Sequence, residues 1–387
     1  MSTAAARRAY AGPALFSFGF RPFFLFGSIW AALTVPIWLG AFLHGGPPAI
    51  TRDWHIHEML FGFLGAVIAG FLTTAVPNWT GRMPVLGGPL AGLFLLWLAG
   101  RLAMLFEGPS AAVVDCLFLV AFAGVVWREV LAGKNWRNLP VCVLVSLFAL
   151  ANIAFHVWPQ ADLGVGVRLA LGVAATLISL IGGRIIPSFT RNWMRAQGLD
   201  AQPAQPERPL DKAALALTAA GALLWAIAPQ APVTGAALAL AGLGAFARLA
   251  RWQGLRTLKE PMLWVLHLGY FWLALGLVLL GASILTPLVP RTAGIHALTA
   301  GAIGVMTLAV MSRATRGHTG RPLQAGAATR AIYLAINLAA LTRVAAAFLP
   351  ATHVVLLSAS ALLWVLAFAG FAAAYWAMLT QPRPAAA

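Results

Sequence analysis

The segment WHIHEMLFGFLGAVIAGFLTTAVPNWTGRMP, residues 54–84, has no charged residue between Glu58 and Arg82. A helix rising 1.5 Å per residue needs about 20 apolar residues to cross a hydrocarbon core about 30 Å thick. This run is long enough, and nothing in it interrupts the crossing. Working outward in both directions, similar runs split by Gly, Pro and charge clusters fall at 22–43, 56–76, 85–106, 110–127, 139–158 and 165–186. The second half of the chain repeats the pattern at 212–228, 232–252, 261–284, 292–312, 327–349 and 354–378. The weakest of these is the Ala-rich pair at 212–252, where Pro229 and Pro232 leave almost no loop.

Composition agrees. The chain is 61% apolar and 9% charged, with a mean hydropathy of +0.84. Soluble domains are nearer 45–50% apolar and about 25% charged. The ten-residue alternation of a membrane β-barrel is missing. The expected fold is an all-α polytopic membrane bundle of about twelve transmembrane helices, forming one integral membrane domain over 1–387. Two six-span halves, about 22–186 and 212–378, are joined by a polar linker over 187–211 that contains QPAQPERP.

The net charge of +16 raises the question of nucleic acid, but its distribution gives another answer. With a cytoplasmic N-terminus, 21 of the 26 Lys and Arg residues fall on the inner side; Arg52, Arg101, Arg168, Arg291 and Arg343 are the rest. That asymmetry is the positive-inside pattern, so both termini are expected in the cytoplasm and no nucleic-acid partner is implied. The first apolar run is long and lacks a small-residue cleavage site, so no cleavable signal peptide is expected. Cys116 and Cys142 fall near opposite faces of the bundle, too far apart for a disulfide.

Spans 2, 6 and 10 end in related sequences: PNWTGRMP (77–84), PSFTRNWM (187–194) and RGHTGRPL (316–323). Their spacing suggests three four-helix units. His57 precedes Thr80 by 23 residues and His296 precedes Thr319 by 23, which sets both histidines at one depth near the outer face. In span 6 the equivalent position is Val167, followed by Arg168.

Six of the eight histidines, 44, 55, 57, 156, 296 and 353, fall at or near that outer face; His267 and His318 lie toward the inner one. Intramembrane ionisable groups are costly and usually functional, and neutral imidazole is a common ligand of copper and haem iron. Residues i and i+2 of a helix are about 200° apart, so His55 and His57 face different partners. His57 with His296 is the candidate bis-imidazole haem pair, and His55 with His156 a candidate second metal site. His267 and His318 are candidates for another haem or a quinol pocket. Glu58 is the candidate proton carrier, against the plainer role of an interfacial carboxylate paired with an arginine. Arg101, Arg168 and Arg291 are candidate partners for haem propionates, with snorkelling as the plainer reading. His44 and His353 read as interfacial histidines.

Other chemistries lose ground. The chain has no CxxCH, CxxC, Walker loop or HExxH. All ten carboxylates lie outside the middle third of any span, Asp115 and Glu58 being the deepest, which counts against a proton antiporter.

FSFGFRPFFLFG (16–27), WHIHEMLFGF (54–63), GFLTTAVPNWTGRMP (70–84), GGRIIPSFTRNWM (182–194), LHLGYFWL (266–273) and HALTAGAIGVMTLAVMSRATRGHTGRP (296–322) resemble the NnrS family. The resemblance covers nearly the whole chain. It implies a bacterial inner-membrane protein of twelve helices that carries haem and copper and acts in denitrification and resistance to nitric oxide. The family's histidine motifs fall on His55, His57, His267, His296 and His318. Haem–copper oxidases also use twelve helices with ligands on helices 2 and 10, a fold-level likeness only, since their copper ligands on helices 6 and 7 have no histidine counterparts here.

The leading expectation is a haem b- and copper-containing protein that binds and reduces or detoxifies nitric oxide within the lipid bilayer, with quinol as a candidate electron donor. The rival class is a carrier of metal, haem or iron–nitrosyl species. A nitric oxide sensor is a third reading, weakened by the lack of a sizeable soluble output domain.

Overall fold

The computed structural model describes residues 10–106, 108–158, 163–199 and 208–383. Arg7 and Arg8, and the middle of the polar connection after span 6, lie outside the described residues. Among the described residues there is no strand. Eleven helices are long and apolar enough to cross a membrane, and Gly87–Ala103 is a shorter apolar one. In chain order these are α1 (Phe20–His44), α2 (Arg52–Thr80), α3 (Gly87–Ala103), α4 (Pro109–Ala132), α5 (Trp136–Val157) and α6 (Val165–Ala196). They continue with α7 (Pro209–Ile227), α8 (Pro232–Arg251), α9 (Pro261–Leu285), α10 (Arg291–His318), α11 (Ala327–Phe348) and α12 (Pro350–Thr380). The chain is a multi-pass membrane protein built as a helical bundle.

Local chemistry marks the ends. Thr51 Oγ1 accepts the Trp54 N–H at 3.1 Å to open α2, and prolines occupy the first turns of α4, α7, α8 and α9, where their missing N–H costs nothing. The TGR sequences are helix stops. Thr80 Oγ1 bonds back to the Val76 carbonyl at 2.9 Å and Gly81 turns left-handed at φ 69°. Thr319 Oγ1 does the same to Thr315 at 2.6 Å, and Gly320 has φ 73°. Only glycine takes that conformation without a steric penalty. In span 6 the threonine is Thr190, but Arg191 stands where the glycine would be, so α6 continues to Ala196 and turns at Gly198 (φ 66°). The expected linker start at 187 is corrected accordingly: 187–196 is helix.

A Cβ on Gly81 would meet nothing within 4 Å, so its substitution tests backbone conformation alone. Gly81→Ala is expected to lower unfolding stability by about 1 kcal/mol. Gly88→Ala, in open space without a positive φ, should leave the unfolding midpoint unchanged.

Three helices contain a widened, π-helical turn: Glu58–Leu64 in α2, Ile178–Gly182 in α6 and Ala297–Ile303 in α10. In α2 and α10 it begins directly after His57 and His296 and ends sixteen residues before the TGR threonine, Leu64 to Thr80 and Ile303 to Thr319. In α6 it lies closer to Thr190, eight residues from Gly182. The sequence repeat therefore extends to backbone geometry in α2 and α10, with α6 out of register.

The chain groups into two compact units, Met1–Ala170 with Met311–Pro322 and Phe368–Ala387, and Leu171–Val310 with Leu323–Ala367. The first unit is packed around aromatic rings: Phe23, Phe94 and Phe118 are buried, with the Phe23 ring 6.1 and 5.7 Å from the other two. The opposite side of α4 exposes Val113, Leu117 and Val120 at helical spacing, a lipid-facing stripe in a bundle that has hydrocarbon for solvent. In the second unit small residues bring α8 and α9 together: a Cβ on Gly281 would lie 2.6 Å from the Gly235 carbonyl, and one on Gly242 2.7 Å from the Ala274 carbonyl. This close approach explains why 232–252 is rich in Ala and Gly.

Candidate functional site

Where the π-helical turn of α2 begins, His57 and Glu58 point into the first unit, both fully buried. His57 Nδ1 lies 2.9 Å from Glu58 Oε1; its Nε2 lies 3.0 Å from both Asp115 Oδ2 of α4 and Asn152 Oδ1 of α5. One turn beyond Asn152, His156 brings its Nε2 to 3.0 Å from the same Asp115 oxygen, and Asn152 Nδ2 donates to it at 2.7 Å. Arg101 of α3 closes the ring, donating from Nη1 to Glu58 Oε2 at 2.7 Å and from Nη2 to Asp115 Oδ1. Trp30 of α1 adds a 2.6 Å hydrogen bond to Glu58 Oε2.

Every carboxylate oxygen in this network has a partner, which is the condition for burying two acids at membrane depth. The π-helical turn makes the packing possible. A Cβ on Gly62 would sit 2.8 Å from Glu58 Oε2 and closer still to Arg101 Nη1, so the guanidinium lies directly against bare backbone. Such turns are frequent at functional sites because they re-aim the preceding residues. Phe61 and Phe155 flank the His57 ring at 5.2 and 4.9 Å.

Three side chains here have the geometry of a metal-binding set. One ligand atom each from His57, Asp115 and His156 lie within 4.8 Å of one another. Two imidazoles and a carboxylate suit copper, zinc or ferrous iron. The three come from α2, α4 and α5, and Glu58 holds the second nitrogen of His57, as supporting carboxylates do for metal-bound histidines. The donor set therefore fits a metal ion.

The family model described as NnrS protein matches residues 14–383. The chain belongs to the NnrS family. It is thus a nitric-oxide-related membrane protein of a family associated with metal and haem binding. No curated protein matches the chain.

In this NnrS-family chain the other expected site residues are placed as follows. His55 stacks on Trp38 of α1 with ring centroids 4.3 Å apart, so it is His57, not His55, that shares a partner with His156. His296 belongs to the second unit, and its Nδ1 lies 2.8 Å from the Thr292 carbonyl. A carbonyl only accepts, so the proton of a neutral ring sits on Nδ1 and the lone pair on Nε2. His267, 6% exposed in the second unit, bonds Thr190 Oγ1 through Nε2 at 2.9 Å; its Nδ1 is buried with no hydrogen-bond partner. His318, in the first unit, packs 5.8 and 5.7 Å from the Phe18 and Phe20 rings. Arg101 is committed to the two carboxylates; Arg168 lies in the first turn of α6 and Arg291 opens α10. Cys116 and Cys142 are unbridged.

Asp115 and Asn152 were not among the expected site residues. Asn152 and His156 are four apart and share a face of α5, a signal present in the sequence; Asp115 stood out only by depth. A second buried arginine network was also missed. In the second unit Arg248 donates from Nε to Asp211 Oδ1 at 3.0 Å and from Nη1 to the Tyr270 hydroxyl at 2.6 Å and Ser179 Oγ at 3.0 Å. It too lies against a glycine bordering a π-helical turn, Gly183.

Proposed function

We propose that this chain is a haem- and copper-dependent protein of a bacterial inner membrane, with both termini cytoplasmic, that binds nitric oxide and removes it by reduction with electrons drawn from quinol. The observation that carries the reading is the convergence of His57, Asp115 and His156 in a buried network whose carboxylate oxygens all have partners. These three residues would hold the copper ion, and His296, with its Nδ1–H fixed on a carbonyl, would hold haem b. His267 and His318 remain candidates for a further cofactor or quinol contact. When bound, the metal supplies Lewis-acid polarisation and one-electron redox capacity.

The chain's own residues prepare the site. Glu58 Oε1 fixes the His57 ring through Nδ1 and is the carboxylate assigned to proton delivery. Arg101 offsets one of the two negative charges of Glu58 and Asp115, and the other can be met by a cation that enters in exchange for protons on the imidazoles. Phe61 and Phe155 exclude water from the His57 ring. Nitric oxide, small and uncharged, reaches a buried site through the bilayer without a polar channel.

The test is copper and iron content together with the optical response to nitric oxide of the purified, full-length protein. His156→Ala, at the one edge of the cluster with side-chain exposure, is expected to weaken copper retention by more than about tenfold with haem absorbance intact. His296→Ala is expected to lose haem absorbance. Undiminished copper in the first variant, or undiminished haem in the second, would overturn the corresponding assignment.

A further inference from the structure

At one end of the first unit, arginines gather with no acid paired to them among the described residues. Arg21, in the first turn of α1, is 3% exposed. Its Nη1 donates to the carbonyls of Leu379 at 3.1 Å and Gln381 at 2.7 Å, where α12 ends, and its Nε is buried without a hydrogen-bond partner. Arg321 is close enough for the two like charges to repel. The turn before it, closing α10, is the left-handed Gly320, and a Cβ there would lie 2.7 Å from Nη2 of Arg383. Arg316 Nε bonds the Pro322 carbonyl at 2.7 Å, holding the far side of the same turn. Among the described residues none of these four arginines pairs with a carboxylate, whereas Arg82 and Arg128 of the same unit both pair with Glu129.

Burying one guanidinium and placing two more beside it is unfavourable unless an anion joins them. The three form a graded path, with Arg21 buried, Arg321 half-buried and Arg383 exposed. Guanidinium groups match the tetrahedral oxygens of phosphate through bidentate hydrogen bonds. The site also lies where α1 begins and α10 and α12 end, the level at which membrane helices emerge among lipid headgroups.

We infer that Arg21, Arg321 and Arg383 around the Thr319–Arg321 turn form a binding site for a phosphate group. An anionic lipid headgroup and free inorganic phosphate offer the same chemistry. The helix-end position favours the lipid. This site is independent of the metal-binding cluster and of the reaction proposed for it.

The test is the melting temperature of delipidated full-length protein in a neutral detergent, with phosphatidylglycerol, phosphatidylcholine or inorganic phosphate added at matched ionic strength. Phosphatidylglycerol is expected to raise the midpoint by about 3 °C, and zwitterionic phosphatidylcholine to raise it by less than a third as much. The Arg321→Gln/Arg383→Gln double variant leaves the Arg21 hydrogen bonds in place and should lose the phosphatidylglycerol-specific rise. An equal rise with inorganic phosphate would identify the free anion as the ligand and support the site. Equal effects of the two lipids on the unmodified protein with none from phosphate, or a full rise in the double variant, would overturn it.

Discussion

Arg101→Met is expected to yield little or no folded protein. The guanidinium is 1% exposed and holds Glu58 through Nη1 and Asp115 through Nη2. Without it two carboxylates remain in the interior with His57 as their principal positive partner. Removing one side of a buried ion pair costs about 3–5 kcal/mol, because the survivor stays desolvated. The check is the fraction of monodisperse protein in mild detergent and its melting temperature. Arg101→Met/Glu58→Gln removes one charge of each sign and should recover a substantial part of the loss. A single variant as stable as the unmodified protein would show that the network carries no net stabilisation.

Gly183→Ala should be nearly as damaging, by a steric route. A Cβ at this position would lie 2.8 Å from Cζ of Arg248 and closer still to its Nη2. Arg248 cannot simply retreat, since it is fixed by Asp211, Ser179 and Tyr270 and packed over the Trp252 ring at 5.3 Å. Either the guanidinium leaves Asp211 or α6 shifts away from α8, and both expose or orphan buried polar groups. The expected loss is about 3 kcal/mol, read as a fall in the unfolding midpoint. In Gly183→Ala/Arg248→Met the clash disappears while Arg251 still reaches Asp211 at 3.3 Å. The double variant should therefore be less destabilised than the sum of the singles. Simple additivity would refute the steric coupling.

Much of the architecture was legible because bilayer thickness turns composition into helix count: uninterrupted apolar runs mark the spans directly. Thr-Gly-Arg was legible as a repeat, and its meaning as a helix stop follows from threonine back-bonding and a left-handed glycine. The end of α6 was misread at 187 because the related PSFTRNW lacks that glycine; the breaking residue is Gly198, eight positions after Thr190. At the site, helical phase alone separated His55 from His57, which turn to Trp38 and to Asp115. The partnership of His57 with Asp115, Asn152 and His156 was not legible. It joins three helices far apart in sequence, and periodicity within one helix says nothing about which faces meet. The π-helical turns were equally hidden, since no residue type marks a wide turn as a Gly marks a left-handed one.

Those turns have a consequence for the history and tolerance of the chain. A wide turn adds one residue to a helix without lengthening its path by a full step, so everything upstream is rotated by about 100° relative to an uninterrupted helix. In α2 the residue directly upstream of that offset is His57; in α10 it is His296. Deleting a single residue from 58–64 would close the wide turn to an ordinary α-helical one, leaving a rod of nearly the same length with its two ends still in phase, but it would remove the local geometry that seats Gly62 against Arg101 and Glu58. Insertion and deletion, rather than substitution, are thus the changes that can switch this centre on or off while sparing the bundle.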